Sequence, residues 1–171
     1  MKSVFLPILV FFFFLQSICV ADEFSGITCN SDVTKAVIGK KMTKGRVSDI
    51  EATHKNITLK DLGGDGMPED PFFTISWEIC GREYIFLIDQ SKNKEIINDV
   101  LPIPTDFKQA YRLLPGSSCT RHEKRVKNIY AFAEQGAKGT KAKMKAAWEI
   151  SRTTMKFTKL SPEEIDCKIG D

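Results

Sequence analysis

Three residues of the chain have the types needed to cleave RNA by transesterification. His54 can take the proton of a ribose 2′-hydroxyl, Glu78 can share the acid–base work, and Arg82 can stabilise the charge of the phosphorane. Glu78 and Arg82 are four residues apart, so they face the same side if both lie on one straight strand. A turn or bulge at Cys80-Gly81 would break that relation.

Motifs for other catalytic chemistry are missing from the sequence. It has two histidines, His54 and His122, and no metalloprotease, nucleophile-elbow or phosphate-loop motif. The cysteines are widely spaced and form no Cys-x-x-Cys or Cys/His cluster, so neither a metal site nor a cofactor is predicted. A weak ribonuclease is the one enzyme that these residue types suggest.

The candidate residues lie in FTISWEICGREYIFLID (73–89), the most strongly patterned stretch of the chain. Phe73, Ile75 and Trp77 alternate with polar residues, and a second alternation begins at Tyr84. The pattern predicts two antiparallel strands joined at Cys80-Gly81.

Other elements are shorter. A helix is predicted within NSDVTKAVIGKKM (30–42), whereas 53–71 is predicted as a loop with a short strand around Ile57–Leu59. Further strands are predicted in IINDVLPIP (96–104), near Tyr111–Leu114, and in AAWEISRTTMKFTKL (146–160).

The last third of the chain is locally basic. From Arg121 to Lys145 there are eight Lys or Arg residues against two Glu, although the formal net charge of the whole chain is only +3. Helical spacing of Val126, Ile129 and Tyr130 predicts an amphipathic basic helix over 121–135, within a helical insertion or extension spanning 120–147. Its lysines are either a solvated face or a functional patch. The resulting fold class is α+β: an N-terminal helix packed on a twisted antiparallel sheet, with an additional basic C-terminal helix.

The first residues are typical of a secretory signal. Lys2 precedes an apolar run rich in Phe, and small residues before Asp22 predict cleavage after Ala21. A membrane anchor is the alternative, but the apolar run is short and no basic cluster follows it. We therefore expect residues 1–21 to be a signal peptide and residues 22–171 to be one secreted, monomeric domain that has no membrane contact.

Four cysteines remain after cleavage, because Cys19 leaves with the signal peptide. An even number in an oxidising compartment predicts two disulfides, with three possible pairings. We favour Cys29–Cys167 with Cys80–Cys119, since the first bond would close the longest loop. Asn56-Ile57-Thr58 is a glycosylation sequon, so Asn56 is a candidate acceptor or simply part of a turn.

Residues 27–100 resemble the small secreted guanyl-specific ribonucleases of fungi. ITCNSDVTKAVIGKKM (27–42) is similar to their cysteine-bearing entry and helix, and HKN (54–56) to the segment with the first catalytic histidine. FFTISWEI (72–79) is similar to the strand with the catalytic glutamate, and GREYIFLIDQSKNKEI (81–96) to the strand with the phosphate-binding arginine. The resemblance implies a second histidine within 97–100, where this chain has INDV.

Without that general acid, the leaving group has no matched proton donor, which typically costs about 10²–10⁴-fold in rate. The chain thereby resembles the ribonuclease-like secreted effectors of plant-pathogenic fungi, especially powdery mildews, which have lost catalytic residues. Ile27-Thr28-Cys29 stands where those effectors have an aromatic residue, any residue and a cysteine. This resemblance implies a non-catalytic virulence protein that is delivered to host cells and binds host protein or RNA.

The leading expectation is thus a secreted binding protein on a ribonuclease-like scaffold. A weakly active endoribonuclease and an extracellular interaction module or inhibitor without nucleic-acid binding are the alternatives. The predicted RNA surface combines cations that follow phosphates with aromatic rings that stack on bases. Its members are Arg82, Tyr111, Arg112, Lys124, Arg125, Lys127 and Tyr130.

Overall fold

The computed structural model describes residues 22–43, 47–66, 71–91, 95–107, 119–134, 136 and 139–168, and the backbone of 111–113. The helices are α1 (Val33–Val37) and α2 (Val47–Thr53). The strands are β1 (Leu59–Asp65), β2 (Phe72–Ile79), β3 (Arg82–Asp89), β4 (Ile96–Pro102), β5 (Tyr111–Leu113), β6 (Cys119–Arg121), β7 (Lys124–Val126), β8 (Ile129–Ala133), β9 (Met144–Ser151), β10 (Lys156–Leu160) and β11 (Ile165–Cys167).

The strands form three antiparallel sheets. The first sheet has the order β1-β2-β3-β4, and the second sheet has the order β10-β9-β8-β5. A smaller ribbon has the order β11-β6-β7. The part of the chain that the structure describes is therefore mostly antiparallel sheet with two short helices and two disulfides, an arrangement compatible with an α+β class.

The predicted hairpin of 73–89 is confirmed as β2 and β3. Ile79 pairs with Arg82, and the two residues between them have positive φ, 52° at Cys80 and 75° at Gly81. Positive φ at both central positions is the condition for a type I′ turn, whose twist matches that of the strands. The hairpin thus places Glu78 and Arg82 on neighbouring strands rather than on one strand.

β3 is buried on both faces and lies at the centre of the molecule. Tyr84, Phe86 and Ile88 point into an N-terminal cluster that includes Phe24, Val33, Val37, Ile50 and Trp77. Ile85 points the other way and packs against Tyr130, Phe132 and Trp148 of the second sheet. An unbroken apolar run is what a strand covered on both faces requires.

Four layers follow from this packing. The N-terminal segment with α1 and α2 covers one face of the first sheet, and the second sheet covers its other face. The ribbon covers the remaining face of the second sheet through a ribbon cluster. That cluster consists of Cys119, Ile129, Ala131, Ala133, Ala142, Ala147, Leu160, Ile165 and Cys167.

A side-chain cap begins α1. The Asp32 carboxylate accepts a hydrogen bond from the Thr34 hydroxyl at 2.6 Å and another from the Lys35 backbone N–H at 3.4 Å. The Thr34 hydrogen bond, followed by those from Lys35, holds the pKa of Asp32 below its usual value. The helix is five residues long, and its buried residues Val33 and Val37 contribute to the N-terminal cluster.

The predicted basic helix over 121–135, and with it the helical insertion over 120–147, is wrong. The described residues there form the end of β6, then β7 and β8, and β9 begins at Met144. The five residues of β8 are all buried, with Ile129 and Ala131 facing the ribbon and Tyr130 and Phe132 facing the first sheet. Burial on both faces favours a strand of β-branched and aromatic residues over the amphipathic helix that the spacing suggested.

The loop predicted over 53–71 contains α2's last residue and a full edge strand, β1. Its glycines permit a strand that propensity disfavours: the register shifts between Asp61 and Gly63, and Gly63 has φ +94°. At Gly64 a Cβ atom would lie 2.7 Å from the carbonyl oxygen of Thr74. The glycines are thus required by a bulge and by the close approach of β1 to β2. In the sequence, such glycines look the same as the glycines of a loop.

The favoured disulfide pairing is also wrong. The bonds are Cys29–Cys80, which ties the N-terminal segment to the β2–β3 turn, and Cys119–Cys167, which joins two directly paired residues of the ribbon. The first bond packs against the N-terminal cluster and the second belongs to the ribbon cluster, so each bond lies within one half of the molecule. Cys29 and Cys167 are consequently bonded to different partners rather than to each other.

Candidate functional site

His54 is held inside the N-terminal layer. It directly follows α2, and its Nε2 lies 2.6 Å from Oδ2 of Asp22. The two side chains are only 15% and 14% exposed, and the imidazole packs edge-on against Phe24 with 5.8 Å between ring centroids. Its observed contacts anchor the N-terminal turn.

Glu78 faces away from His54. Its neighbours on β2, Trp77 and Ile79, both point into the N-terminal cluster, and Trp77 packs on Phe24, which contacts His54. Because side chains alternate along a strand, Glu78 lies on the opposite face of the first sheet. The residues expected to share acid–base work therefore have a sheet between them.

Arg82 is exposed at the end of the first sheet. Arg82 pairs with Ile79, so its side chain lies on the face of the first sheet that packs against the N-terminal cluster. It also lines a groove of about 420 Å³ with Tyr84, Pro102 and Pro104. A cation there is available to a ligand, but it does not share a face with Glu78. The structure accordingly does not bring His54, Glu78 and Arg82 together.

His122 does not replace the missing acid. It occupies the tip of the β6–β7 turn, is 73% exposed, and lies 4.0 Å from a carboxylate oxygen of Glu164. The ribbon that carries His122 covers the second sheet on the side away from the first sheet. His54 and His122 are thus in opposite outer layers of the molecule.

Three predicted RNA contacts lie close together along the chain and are exposed. Lys124 and Arg125 lie on β7 and Lys127 directly follows it; all three are exposed. None of them has an ion pair or side-chain hydrogen bond within the described ranges. We call residues 119–127, which carry these cations, the basic hairpin.

Ion pairs and a disulfide hold the basic hairpin in position. Arg121 donates from Nε and Nη2 to Glu164 at 3.0 and 2.7 Å, and from Nη1 to Glu149 at 3.3 Å. Cys119 is bonded to Cys167. The turn itself holds His122 and Glu123 at φ 50° and 64°, a left-handed pair that usually requires Asn-Gly. Such a turn persists only where the surrounding structure imposes it.

The prediction that Tyr130 stacks on a base is wrong. It is 1% exposed and packs between the two sheets, so its ring is not accessible to a nucleotide. Tyr111 and Arg112 lie on β5, paired with Ala133 and Phe132, and their side chains fall outside the described residues. Among the residues with described burial, no Phe, Tyr or Trp side chain is exposed.

Several other features bear on function. The described residues contain no group of three or more His, Cys, Asp or Glu residues that could hold a metal ion. They also contain no helix that is both long and apolar enough to span a membrane. Asn56 is exposed in the turn between α2 and β1, a position open to glycosylation, which stays a prediction.

One acidic segment is buried although the sequence did not predict its burial. Asp22, Glu23 and Phe24 follow the predicted cleavage site, yet Glu23 and Phe24 are both 0% exposed. Only the aromatic character of Phe24 could have signalled a core position. The carboxylates of Asp22 and Glu23 had no such signal, because acidic residues are rarely fully buried.

No known protein family, no curated protein and no solved structure matches the chain.

Proposed function

We propose that the protein is a secreted, non-catalytic binding protein that contacts an anionic partner through the basic hairpin. One observation carries the proposal: Lys124, Arg125 and Lys127 are exposed, without an ion pair among the described residues, on a hairpin fixed by a disulfide and by Arg121. Cations presented on a rigid support lose little conformational freedom when they bind, which favours affinity. The resemblance to ribonuclease-like fungal effectors implies the same class of role and belongs to this proposal, as do its helix-on-sheet fold and delivery to host cells.

The absence of catalysis in this proposal is supported by the separation of the acid–base residues. RNA cleavage requires the base within hydrogen-bond reach of the 2′-hydroxyl and the cation at the same phosphate. Glu78 lies on the opposite face of the first sheet from His54, and His54 is bonded to Asp22. We therefore expect no cyclic-phosphate product from a guanosine-containing dinucleotide above that of the His54→Ala variant.

Between the two partner classes, the geometry favours the acidic surface of a protein. Single-stranded RNA is usually held by cations together with aromatic rings on which bases stack. The described surface of the hairpin offers the cations and the imidazole of His122 but no Phe, Tyr or Trp ring. Carboxylates need only the cations, and rim charges of this kind govern association rate and partner choice.

A matched charge reversal tests this proposal. One variant is Lys124→Glu/Arg125→Glu/Lys127→Glu, and its control is Lys145→Glu/Lys156→Glu/Lys159→Glu, which makes the same change of charge at exposed positions of β9 and β10. Fluorescence anisotropy measures the binding of polyglutamate and of polyuridine over a range of salt concentrations. We expect the hairpin variant to lose polyglutamate binding and the control to retain it. Equal losses, or tighter binding of polyuridine than of polyglutamate, would contradict the protein-partner proposal.

Secretion is tested independently of binding. Expression of residues 1–171 in a eukaryotic secretory host should release a chain whose first residue is Asp22, as read by mass spectrometry of the intact protein. Retention of residues 1–21 in the released chain, or failure of release, would contradict the secreted localisation.

A further inference from the structure

Glu23 is a buried carboxylate with half of its hydrogen-bonding capacity unused. The residue is 0% exposed, and Oε2 accepts a hydrogen bond from the backbone N–H of Thr43 at 2.9 Å. Its other oxygen, Oε1, has no partner in the described part of the molecule. A buried charge of this kind is strongly destabilising unless a cation and further hydrogen bonds compensate it.

The residue before Glu23 is held in place by three hydrogen bonds. The carbonyl of Asp22 accepts from the Ser25 N–H at 3.1 Å, and its Oδ1 accepts from the Phe24 N–H at 3.0 Å. Its Oδ2 lies 2.6 Å from Nε2 of His54. The chain around Glu23 is therefore ordered from the first residue after the predicted cleavage site.

Lys40, a cation that contacts the backbone of Glu23, does not bind its carboxylate in the described part of the molecule. Nζ of Lys40 donates to the backbone carbonyls of Glu23 and Ser25, both at 3.0 Å, and it has no hydrogen bond to the Glu23 carboxylate. Lys40 thus clamps the backbone of the turn. The missing partner of Oε1 must come from another group next to it.

We propose that the α-ammonium of Asp22, released when the leader is removed, is the partner of Glu23 Oε1. Hydrolysis consumes one water molecule and breaks the Ala21–Asp22 peptide bond, leaving a carboxylate on Ala21 and an ammonium on Asp22. One neutral amide N–H is thereby replaced by a cation with three donors, on the residue adjacent to Glu23. The inference rests on the secretion and cleavage included in the proposed function.

This pairing couples maturation to stability. Before cleavage, the neighbouring residue offers only a neutral amide N–H, and Glu23 Oε1 has no partner in the described part of the molecule. After cleavage, the same site holds an ion pair in a poorly solvated position, where opposite charges attract most strongly. The mature chain is consequently more stable than the same chain with residues in front of Asp22, and Glu23 is the reason for the difference.

A double-mutant cycle tests the pairing. The two factors are the chain start, Asp22 itself or one added glycine before Asp22, and the residue at position 23, Glu or Gln. The starts are set by a protease that removes a fusion partner without leaving extra residues, so neither leader cleavage nor partner binding affects the result. A failure of this test is thus distinct from a failure of the proposed function. One added residue moves the ammonium by about 3.8 Å along the chain.

From the Asp22 start, Glu23→Gln should lower the folding equilibrium constant more than about tenfold, which corresponds to about 1.4 kcal/mol. From the glycine-extended start, the same substitution should have less than about a third of that effect, giving a clear coupling energy between start and side chain. Glu51→Gln is the control, because Glu51 also accepts a backbone N–H, that of Asp61 at 2.9 Å, and should respond equally from both starts.

An equal effect of Glu23→Gln from both starts would overturn the proposal and leave water or a proton as the partner of Oε1. Should Glu23→Gln fail to fold from either start, the unsubstituted chain is compared at the two starts. Equal stability then overturns the proposal, whereas a loss on extension of about tenfold supports it.

Discussion

The two outer layers of the molecule are attached to their sheets by different kinds of interaction. The N-terminal layer inserts Phe24 between Trp77 and Phe86, with ring centroids 4.9 and 6.1 Å apart. The ribbon meets a surface of small residues, among them Ala131 and Ala147. A buried aromatic side chain removes about 150–250 Å² from water, worth roughly 4–6 kcal/mol at about 25 cal/mol per Å². An alanine contributes far less.

Each outer layer contains a disulfide: Cys29–Cys80 joins the N-terminal layer to the β2–β3 turn, whereas the bond of the ribbon lies within the ribbon. Cys119–Cys167 joins two of its strands, and Arg121 joins it to Glu149 on the second sheet. Such ties fix the position of a short hairpin without covering its outer face. The difference suggests a division of labour in which the first half supplies most of the stability and the ribbon presents charge.

Removal of one aromatic ring should separate the halves most clearly. Phe24→Ala deletes a fully buried side chain at the centre of the N-terminal cluster, so we expect a loss of about 3–5 kcal/mol in the free energy of unfolding. Val126→Ala, at a half-buried position of the ribbon strand β7, should cost about 1 kcal/mol. Denaturant unfolding with a common m-value measures both. Similar losses at the two sites would contradict the comparison.

Removal of each disulfide tests where the ties act. The bonds span 51 and 48 residues, so loop entropy predicts nearly the same global loss, about 4 kcal/mol each. The local effects should differ. We expect Cys119→Ala/Cys167→Ala to accelerate amide hydrogen exchange mainly in β6, β7 and β11, and Cys29→Ala/Cys80→Ala to do so in the N-terminal layer. Uniform acceleration across both halves by either variant would argue against two separate units.

Removal of the Arg121 guanidinium should have a smaller effect. Arg121→Met keeps the apolar stem but removes the cation that Glu149 and Glu164 share, and because the side chain is 33% exposed we expect a loss of only about 1 kcal/mol. The loss should shrink in high salt. Lys143→Met is the control, since the Lys143–Glu134 pair is 79% and 47% exposed and should contribute almost nothing. An equal loss from both variants would show that Arg121 does not fix the ribbon.

The smallest expected change in stability comes from the charge reversal of the basic hairpin. Lys124, Arg125 and Lys127 are exposed and have no ion pair with any described residue, so their replacement by Glu should alter the free energy of unfolding by less than about 0.5 kcal/mol per site. Thermal unfolding of this variant beside its β9–β10 control measures the change. A large loss would mean that the cations are structural rather than available to a partner.

Elements with a simple period were predictable from the sequence. The alternation on either side of Cys80-Gly81 predicted β2, β3 and their turn, and IINDVLPIP (96–104), with its closing prolines, predicted β4. These strands have bulky residues at regular positions, and the left-handed turn has a glycine to permit it. Local pattern and tertiary environment agree there, so sequence alone was sufficient.

Elements buried on both faces, or shaped by close backbone approach, were not predictable. β8 has apolar residues at every position, and a helical period can be drawn through such a run as easily as a strand period. β1 contains Gly63 and Gly64 because β2 approaches closely, which no local signal distinguishes from a loop. The disulfide pairing depends on which layers form, and wide spacing could not supply that information.

The candidate site was predictable only in its charges. Residue types placed Lys124, Arg125 and Lys127 in a basic surface, and they are exposed as that role requires. The residue types of His54 and Glu78 did not reveal that they face opposite sides of a sheet, because that depends on the parity of positions along β2. The burial of Tyr130 likewise follows from the second sheet, whose existence the basic-helix prediction had concealed.

Amide hydrogen exchange of the protein with and without polyglutamate is the most direct test of whether the basic hairpin binds an anionic partner, because it shows which half of the molecule contacts the polyglutamate. We expect polyglutamate to slow amide exchange only in the basic hairpin, residues 119–127, and to leave the exchange rates of β1–β4 unchanged. Protection centred on His54, Glu78 or Arg82 instead would place the binding surface in the first half and contradict the account.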